Sequence, residues 1–264
     1  MWRFYVALAQ TAFRRQLIYR WANLAGICTN IFFVLLFSYI LIALYQVRPV
    51  VAGYNLQDMV RYTWLVQAMI MVVVPFNWNE LMLTIRSGEV VSDLSKPCDF
   101  YGYWFSREVG RSLYYLLFRS IPIYLVGMVL FKLGLPDSWF FWLAYAFSFS
   151  IGTMLGIAYR FLFNLAAFWL VEARAMITLA TTVSLFFTGS YIPIPLLSPP
   201  FQAIVGWLPF NGLMNLPVEI FLGKIVGFAL LFELGRQLLW LVILMVFARW
   251  LTGLATQRVV SQGG

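Results

Sequence analysis

Five of the chain's ten carboxylates, Glu80, Glu89, Asp93, Asp99 and Glu108, fall between residues 80 and 108. Carboxylates and lysine are what this chain offers for acid–base work, because it contains no histidine, the commonest general base and metal ligand. There is no H-E-x-x-H pair, no paired C-x-x-C, no convincing nucleophile elbow and no G-x-x-x-x-G-K-[ST] phosphate loop. Cys28 lies in an apolar run and Cys98 in the polar stretch, so no disulfide framework follows. No catalytic residue and no metal ligand is expected. An enzyme working through carboxylates or lysine alone stays open, but its acids would sit in one polar stretch outside the apolar runs. Energised work must draw on another chain or on an ion gradient. An ion-driven carrier usually places acids within its spans, whereas Glu172 and Glu233 lie near expected span ends.

The elements that must position this stretch are apolar. Hydrophobic residues make up 62% of the chain and charged residues 11%, with a mean hydropathy of +0.84. Runs of about 20 apolar residues recur, the length that crosses a bilayer core as a helix. The fold class expected is therefore an all-α polytopic membrane protein. No strand-like alternation of an outer-membrane barrel recurs. The net charge of +8 comes from basic residues scattered at the ends of apolar runs, where orientation signals and anionic headgroups place them. No nucleic-acid partner is expected. The N-terminal stretch lacks the short apolar core and small residues of a cleavable signal, so it is expected to be retained.

The pattern predicts a single transmembrane domain over 1–264. An amphipathic interfacial helix covers 1–22, with Arg3, Gln10 and Arg14 on one side and Tyr5, Leu8, Ala12 and Phe13 on another; a plain extension of the first span is the alternative. Six spans are expected at 24–45, 62–79, 113–133, 139–170, 176–192 and 231–251, the second interrupted by Pro75. Arg119 either snorkels to the interface or pairs internally. Residues 193–224 hold about half of the prolines yet stay apolar, which suits short helical pieces re-entering one leaflet if protein covers their backbone. Lysine and arginine are concentrated on the side of the termini, so both termini and the polar stretch are expected in the cytoplasm and the proline-rich segment outside.

The polar stretch interleaves Ile85, Val90, Val91 and Leu94 with charges and stops at Pro97, as a short amphipathic helix facing a partner would. "IRSGEVVSDLSKP", residues 85–97, resembles the loop between the second and third spans of type-2 ATP-binding-cassette exporter permeases, in the subgroup reading I-R-x-G, then L-x-K/R-P. Residues 186–224 resemble that subgroup's outer segment, with G-x-x-I-P at Gly189 to Pro193, L-P-F ending at Pro209 and Phe210, and a further proline at Pro217. The ending "RVVSQGG" is similar to its glycine-terminated tail.

The resemblance implies a permease subunit of an ATP-driven transporter, not itself an enzyme. It also implies a coupling helix over 85–97 that seats in a cytoplasmic ATPase dimer, carried by Arg86, Gly88, Glu89, Asp93, Leu94, Lys96 and Pro97. ATP and magnesium would be bound by that partner, and no cofactor by this chain. A second permease, identical or different, would complete the assembly in a bacterial inner membrane. In such proteins the second and fifth spans border the route, which makes Gln67, Asn77, Thr178, Thr181, Thr182 and Ser184 candidate pathway residues. The hydroxyls could equally be satisfied on their own helix. "GTMLG", Gly152 to Gly156, could mark a dimer contact or packing within the chain. Cys98 and the aromatic run "FYGYWF" match no part of the resemblance and could pack at the interface. Export of an amphipathic or lipid-like compound is the expected activity. A membrane-integral lipid-modifying enzyme or a non-transporting scaffold that recruits an ATPase are the alternatives.

Overall fold

The protein is described here by a computed structural model covering residues 2–74, 79–170 and 172–258. Among these, the regular structure is helical apart from one two-stranded hairpin. Helix α1 (Trp2–Ile18) is followed after one residue by α2 (Arg20–Val47). The buried residues of α2, Asn30, Val34, Ser38, Leu41 and Tyr45, recur every three or four positions and form one stripe. That stripe packs on α3 (Leu56–Val73), while Phe32, Tyr39 and Ile40 point outward, as helix faces in lipid do. Between them lies the hairpin of β1 (Val50–Val51) and β2 (Tyr54–Asn55), in register Val51 to Tyr54. Asn55 and Asp58 form a capping box that starts α3.

Twelve of the eighteen residues of α3 are buried, so the other helices are arranged around it. It stops at Val73, two residues before Pro75, and α4 (Glu80–Arg86) and α5 (Val90–Leu94) follow. Next come α6 (Phe100–Tyr115), a π-helical turn (Leu116–Ser120) and α7 (Ile121–Phe131), which together form one continuous apolar rod. Helix α8 (Trp139–Leu165) ends in a short 3-10 turn (Ala166–Phe168), and α9 is Ala173–Phe187. A 3-10 turn (Ile194–Leu196), α10 (Pro199–Trp207) and α11 (Asn215–Phe221) lead to α12 (Gly227–Thr256).

Four of these helical rods are long and apolar enough to cross a membrane: Arg20–Val47, Phe100–Phe131, Trp139–Phe168 and Gly227–Thr256. Ala173–Phe187 is apolar but shorter, and α3 carries Asp58 and Arg61 in its first turns. The rod expected to begin at Leu113 begins at Phe100 instead, because Asp99 caps it by accepting from the Gly102 N–H at 2.7 Å. Its aromatic residues Phe100, Tyr101, Tyr103 and Trp104 are buried against Phe161, Leu165 and Ala248, so the run "FYGYWF" packs within the chain.

Two contacts explain how interrupted helices hold. Pro122 has no N–H for the Phe118 carbonyl four residues before it, and Asn23 of α2 donates its side-chain amide there at 2.9 Å. One residue on, Arg119 is buried and donates to the Gly26 carbonyl and to Asn30 Oδ1, both at 3.0 Å, so it pairs internally. The GTMLG glycines also face inward. A side chain at Gly152 would meet the Leu213 carbonyl oxygen at 2.6 Å, and one at Gly156 would overlap the Val73 carbonyl.

Candidate coupling loop and route

Four of the five acids grouped in residues 80–108, all but Glu89, prove to be internal ties. Glu80 at the start of α4 accepts from Arg15 of α1 at 2.8 Å and also from Arg107 of α6. Glu108 bonds Arg111, and Arg160 of α8 reaches it at 3.3 Å. Arg160 also donates to the carbonyl of Val73, the last residue of α3, where no later helical N–H is available. Asp99 caps α6 and lies 3.6 Å from Arg249 near the end of α12. These pairings explain why a largely apolar chain keeps so many acids in one place: they fasten α1, α4, α6, α8 and α12 to each other at one end.

The loop itself is two short helices joined at Gly88, whose φ of +79° is a left-handed conformation that glycine adopts without strain. A side chain there would meet nothing within 4 Å, so the backbone turn, not space, selects glycine in the I-R-x-G pattern. Of the residues expected to face a partner, Arg86, Gly88, Glu89 and Pro97 are exposed, with Val91 beside them. Leu94 is half-buried, and Asp93 is buried. Asp93 takes Lys96 Nζ at 2.5 Å, and Lys96 also reaches Tyr103 Oη at 3.0 Å and sits over its ring. Asp93 and Lys96 therefore brace the loop on α6. Glu89 is exposed and makes no ion pair or side-chain hydrogen bond among the described residues.

The loop is anchored on two further sides. Asn164 of α8 accepts from the Met82 N–H at 3.1 Å, and Met82 packs with Ala173 and Ile177 of α9. Arg86 lies 3.8 Å from Glu172, just before α9. Sequence reasoning grouped Glu80 with the polar stretch but missed Arg15, Arg107 and Glu172 as parts of this assembly. Their signal was present as charges interrupting apolar patterns, but what they pair with lies far along the chain.

Three hydroxyls of α9 bond to their own helix. Thr181 donates to Ile177, Thr182 to Thr178 and Ser184 to Thr181, each to a backbone carbonyl at 2.7–3.0 Å. Thr178 and Thr182 are exposed on the single chain, Thr181 is half-buried and Ser184 is buried. Gln67 of α3 is half-buried, and its backbone carbonyl accepts from Asn30 at 3.2 Å. Asn77 and most of the glycine-terminated tail lie outside the described residues.

At the opposite end, the proline-rich segment is covered by protein. Residues 211–221 are all buried. Gln237 of α12 donates to the Gly212 and Ser148 carbonyls at 2.6 and 2.9 Å, satisfying backbone that α11 does not reach. Gly189 adopts φ +82° at the end of α9, Pro193 precedes the 3-10 turn, and Phe210 stacks on Phe187 with ring centres 5.7 Å apart. Pro209 lies in the turn before α11, and Pro217 is buried in its first turn. Tyr62 donates to Asn215 at 2.7 Å and Tyr54 to Glu219 at 2.5 Å, while Lys224 pairs Asp58 at 2.7 Å. Burial pushes the Glu219 carboxyl up to about 7, with the Tyr54 hydrogen bond and Lys224 pulling it down.

Among the described residues no cluster of histidine, cysteine or carboxylate groups could hold a metal ion. A sequence-family profile described as "ABC-2 family transporter protein" matches residues 30–263. No curated protein and no solved structure matches the chain.

Proposed function

The chain belongs to the ABC-2 family of transporter proteins, and on that premise we propose that it is the permease subunit of an exporter driven by a separate cytoplasmic ATPase. The observation that carries this reading is the loop around Gly88. Its interior is fastened to α6, α8 and α9, while Arg86, Glu89, Val91 and Pro97 stay exposed. A partner that closes on ATP can move helices only through something stiff. This loop has an outward charge and an inward brace, the two properties such a grip requires.

In this reading α3 and α9 complete six spans, with both termini and the loop in the cytoplasm of a bacterial cell. Two permeases, alike or different, enclose the route along α3 and α9. Gln67, Asn77, Thr178, Thr181, Thr182 and Ser184 border it, and an amphipathic or lipid-like compound leaves past residues 193–224.

The test is purification of the tagged full chain from its native cells in mild detergent, with mass identification of what accompanies it. A stoichiometric phosphate-loop ATPase, with or without a second permease, is the expected result. Repeated preparations that retain no ATPase, under conditions that preserve known complexes, would reject the reading.

A further inference from the structure

At the loop end, a cleft of about 610 Å3 opens between α1, α4, α6 and α9. Arg15, Arg111 and Arg174 line it, together with Glu80, Asn79 and Thr178. A smaller adjoining cleft shares Arg15, Glu80 and Arg111 and adds Arg107 and Glu108. The two together present four arginines against two carboxylates. Each carboxylate already serves two of the chain's arginines, since Glu80 holds Arg15 and Arg107, and Glu108 holds Arg111 and Arg160. The field in the cleft is therefore positive.

Arg174 is the more telling residue. It is exposed, makes no ion pair among the described residues, and sits in the first turn of α9, whose N-cap residue Glu172 gives no side-chain cap and lies 3.8 Å from Arg86 instead. A cation at a helix N-terminus opposes the helix dipole, whose positive end lies there. With the Glu172 carboxylate beside Arg86, the guanidinium of Arg174 is left at the mouth of an open cleft lined by further arginines, an arrangement that an arriving anion stabilises. Guanidinium groups match phosphate oxygens by paired hydrogen bonds. From Thr178 the exposed face of α9 continues through Leu179, Thr182 and Phe186, with the Thr182 hydroxyl bonded to its own helix. A headgroup at Arg174 would lie at the foot of an apolar strip.

We infer that this cleft receives the phosphate-bearing headgroup of an anionic amphiphile whose tail lies along α9, the entry site for what the transporter carries. The inference rests on the permease reading and narrows its substrate class. Neutral or cationic amphiphiles would lose the contacts that the arginines supply.

The test uses the full chain in neutral detergent, with retained lipid counted by native mass spectrometry. Phosphatidylglycerol and phosphatidylcholine are the probes, and inorganic phosphate is the competitor. Wild type should retain phosphatidylglycerol preferentially, and Arg174→Gln should cut that preference about fivefold, the worth of one arginine near a headgroup, without changing phosphatidylcholine. Arg15→Gln should act in the same direction. Equal retention of both lipids by wild type, or an unchanged preference in Arg174→Gln, would overturn the inference. Displacement by inorganic phosphate as effective as by phosphatidylglycerol would assign the cleft to a free anion and overturn the amphiphile. Co-purification of the ATPase is measured on the same preparations. An ATPase that stays bound while lipids go undiscriminated rejects this inference alone, and loss of the ATPase rejects the permease reading beneath it.

Discussion

Lys96 closes on Asp93 at 2.5 Å, and this pair turns one of the loop's two acids inward while Glu89 is left outward. The two acids therefore do different work. Glu89→Lys should reduce co-purification of the ATPase about tenfold with little change in thermal unfolding, as reversal of an exposed interface charge does. Asp93→Ala should instead lower stability by about 1–3 kcal/mol, because it strands Lys96 beside Tyr103. Scanning fluorimetry and a pull-down on both variants separate the roles. Equal loss of ATPase without loss of stability in Asp93→Ala would contradict the assignment.

Glu80 should control the attachment of α1. It is the shared partner of Arg15 and Arg107, so Glu80→Gln leaves two arginines with a weaker acceptor. The expected result is faster tryptic cleavage at Arg14 and Arg15 and a loss of about 1–2 kcal/mol. Gly110→Ala should detach α1 more strongly, since its methyl would overlap the Ala9 carbonyl, whereas Gly235→Ala meets nothing within 4 Å and should be neutral or slightly stabilising.

Asn23 and Pro122 should be coupled. Asn23→Ala leaves the Phe118 carbonyl without its donor and should cost about 0.5–1.5 kcal/mol in thermal unfolding. In a Pro122→Ala background the restored N–H can take over, and the same substitution should cost less. A double-mutant cycle measures this coupling, and strict additivity would show that Asn23 does not stand in for the missing donor.

Glu219 sets a pH dependence at the hairpin end. Its folded value, raised by burial to about 7 from 4.5, means that the folded protein holds a proton that the unfolded chain releases. The stability from that proton is complete below 4.5 and is lost as pH rises through about 7, at a scale of about 3 kcal/mol. The thermal stability of wild type should thus fall as pH rises from about 5 to about 8, and Glu219→Gln should flatten that slope. An unchanged slope in the variant would remove Glu219 as its source.

The apolar rods were legible because each is a local pattern. Leu24 to Tyr45 has no charge over its whole length and falls inside α2, and the proline-rich segment broke into short helices where prolines and glycines interrupt it. The start of α6 was misplaced by thirteen residues, although Asp99 with Gly102 three residues later is a readable cap. Aromatic residues in a polar stretch resemble a loop until Phe161 and Ala248 are seen to cover them. In the site, one coupling helix was expected over 85–97, and neither its break at Gly88 nor the inward role of Asp93 was read from the sequence. Whether an acid faces a partner or its own protein depends on Tyr103 and Lys96, and burial at that distance leaves no periodic trace.

Arg160 has a consequence for how the protein is made. It holds a carbonyl 87 residues earlier, at the open end of α3, and a carboxylate 52 residues earlier, on α6. On the ribosome, both of those sites leave the exit tunnel well before their donor is synthesised. Until α8 is inserted, the nascent chain carries an uncapped helix end and, at Glu108, an acid neutralised by Arg111 alone of these two arginines. A chain that ends before residue 160 therefore lacks the donor for both sites and leaves open polar groups that the finished copy buries.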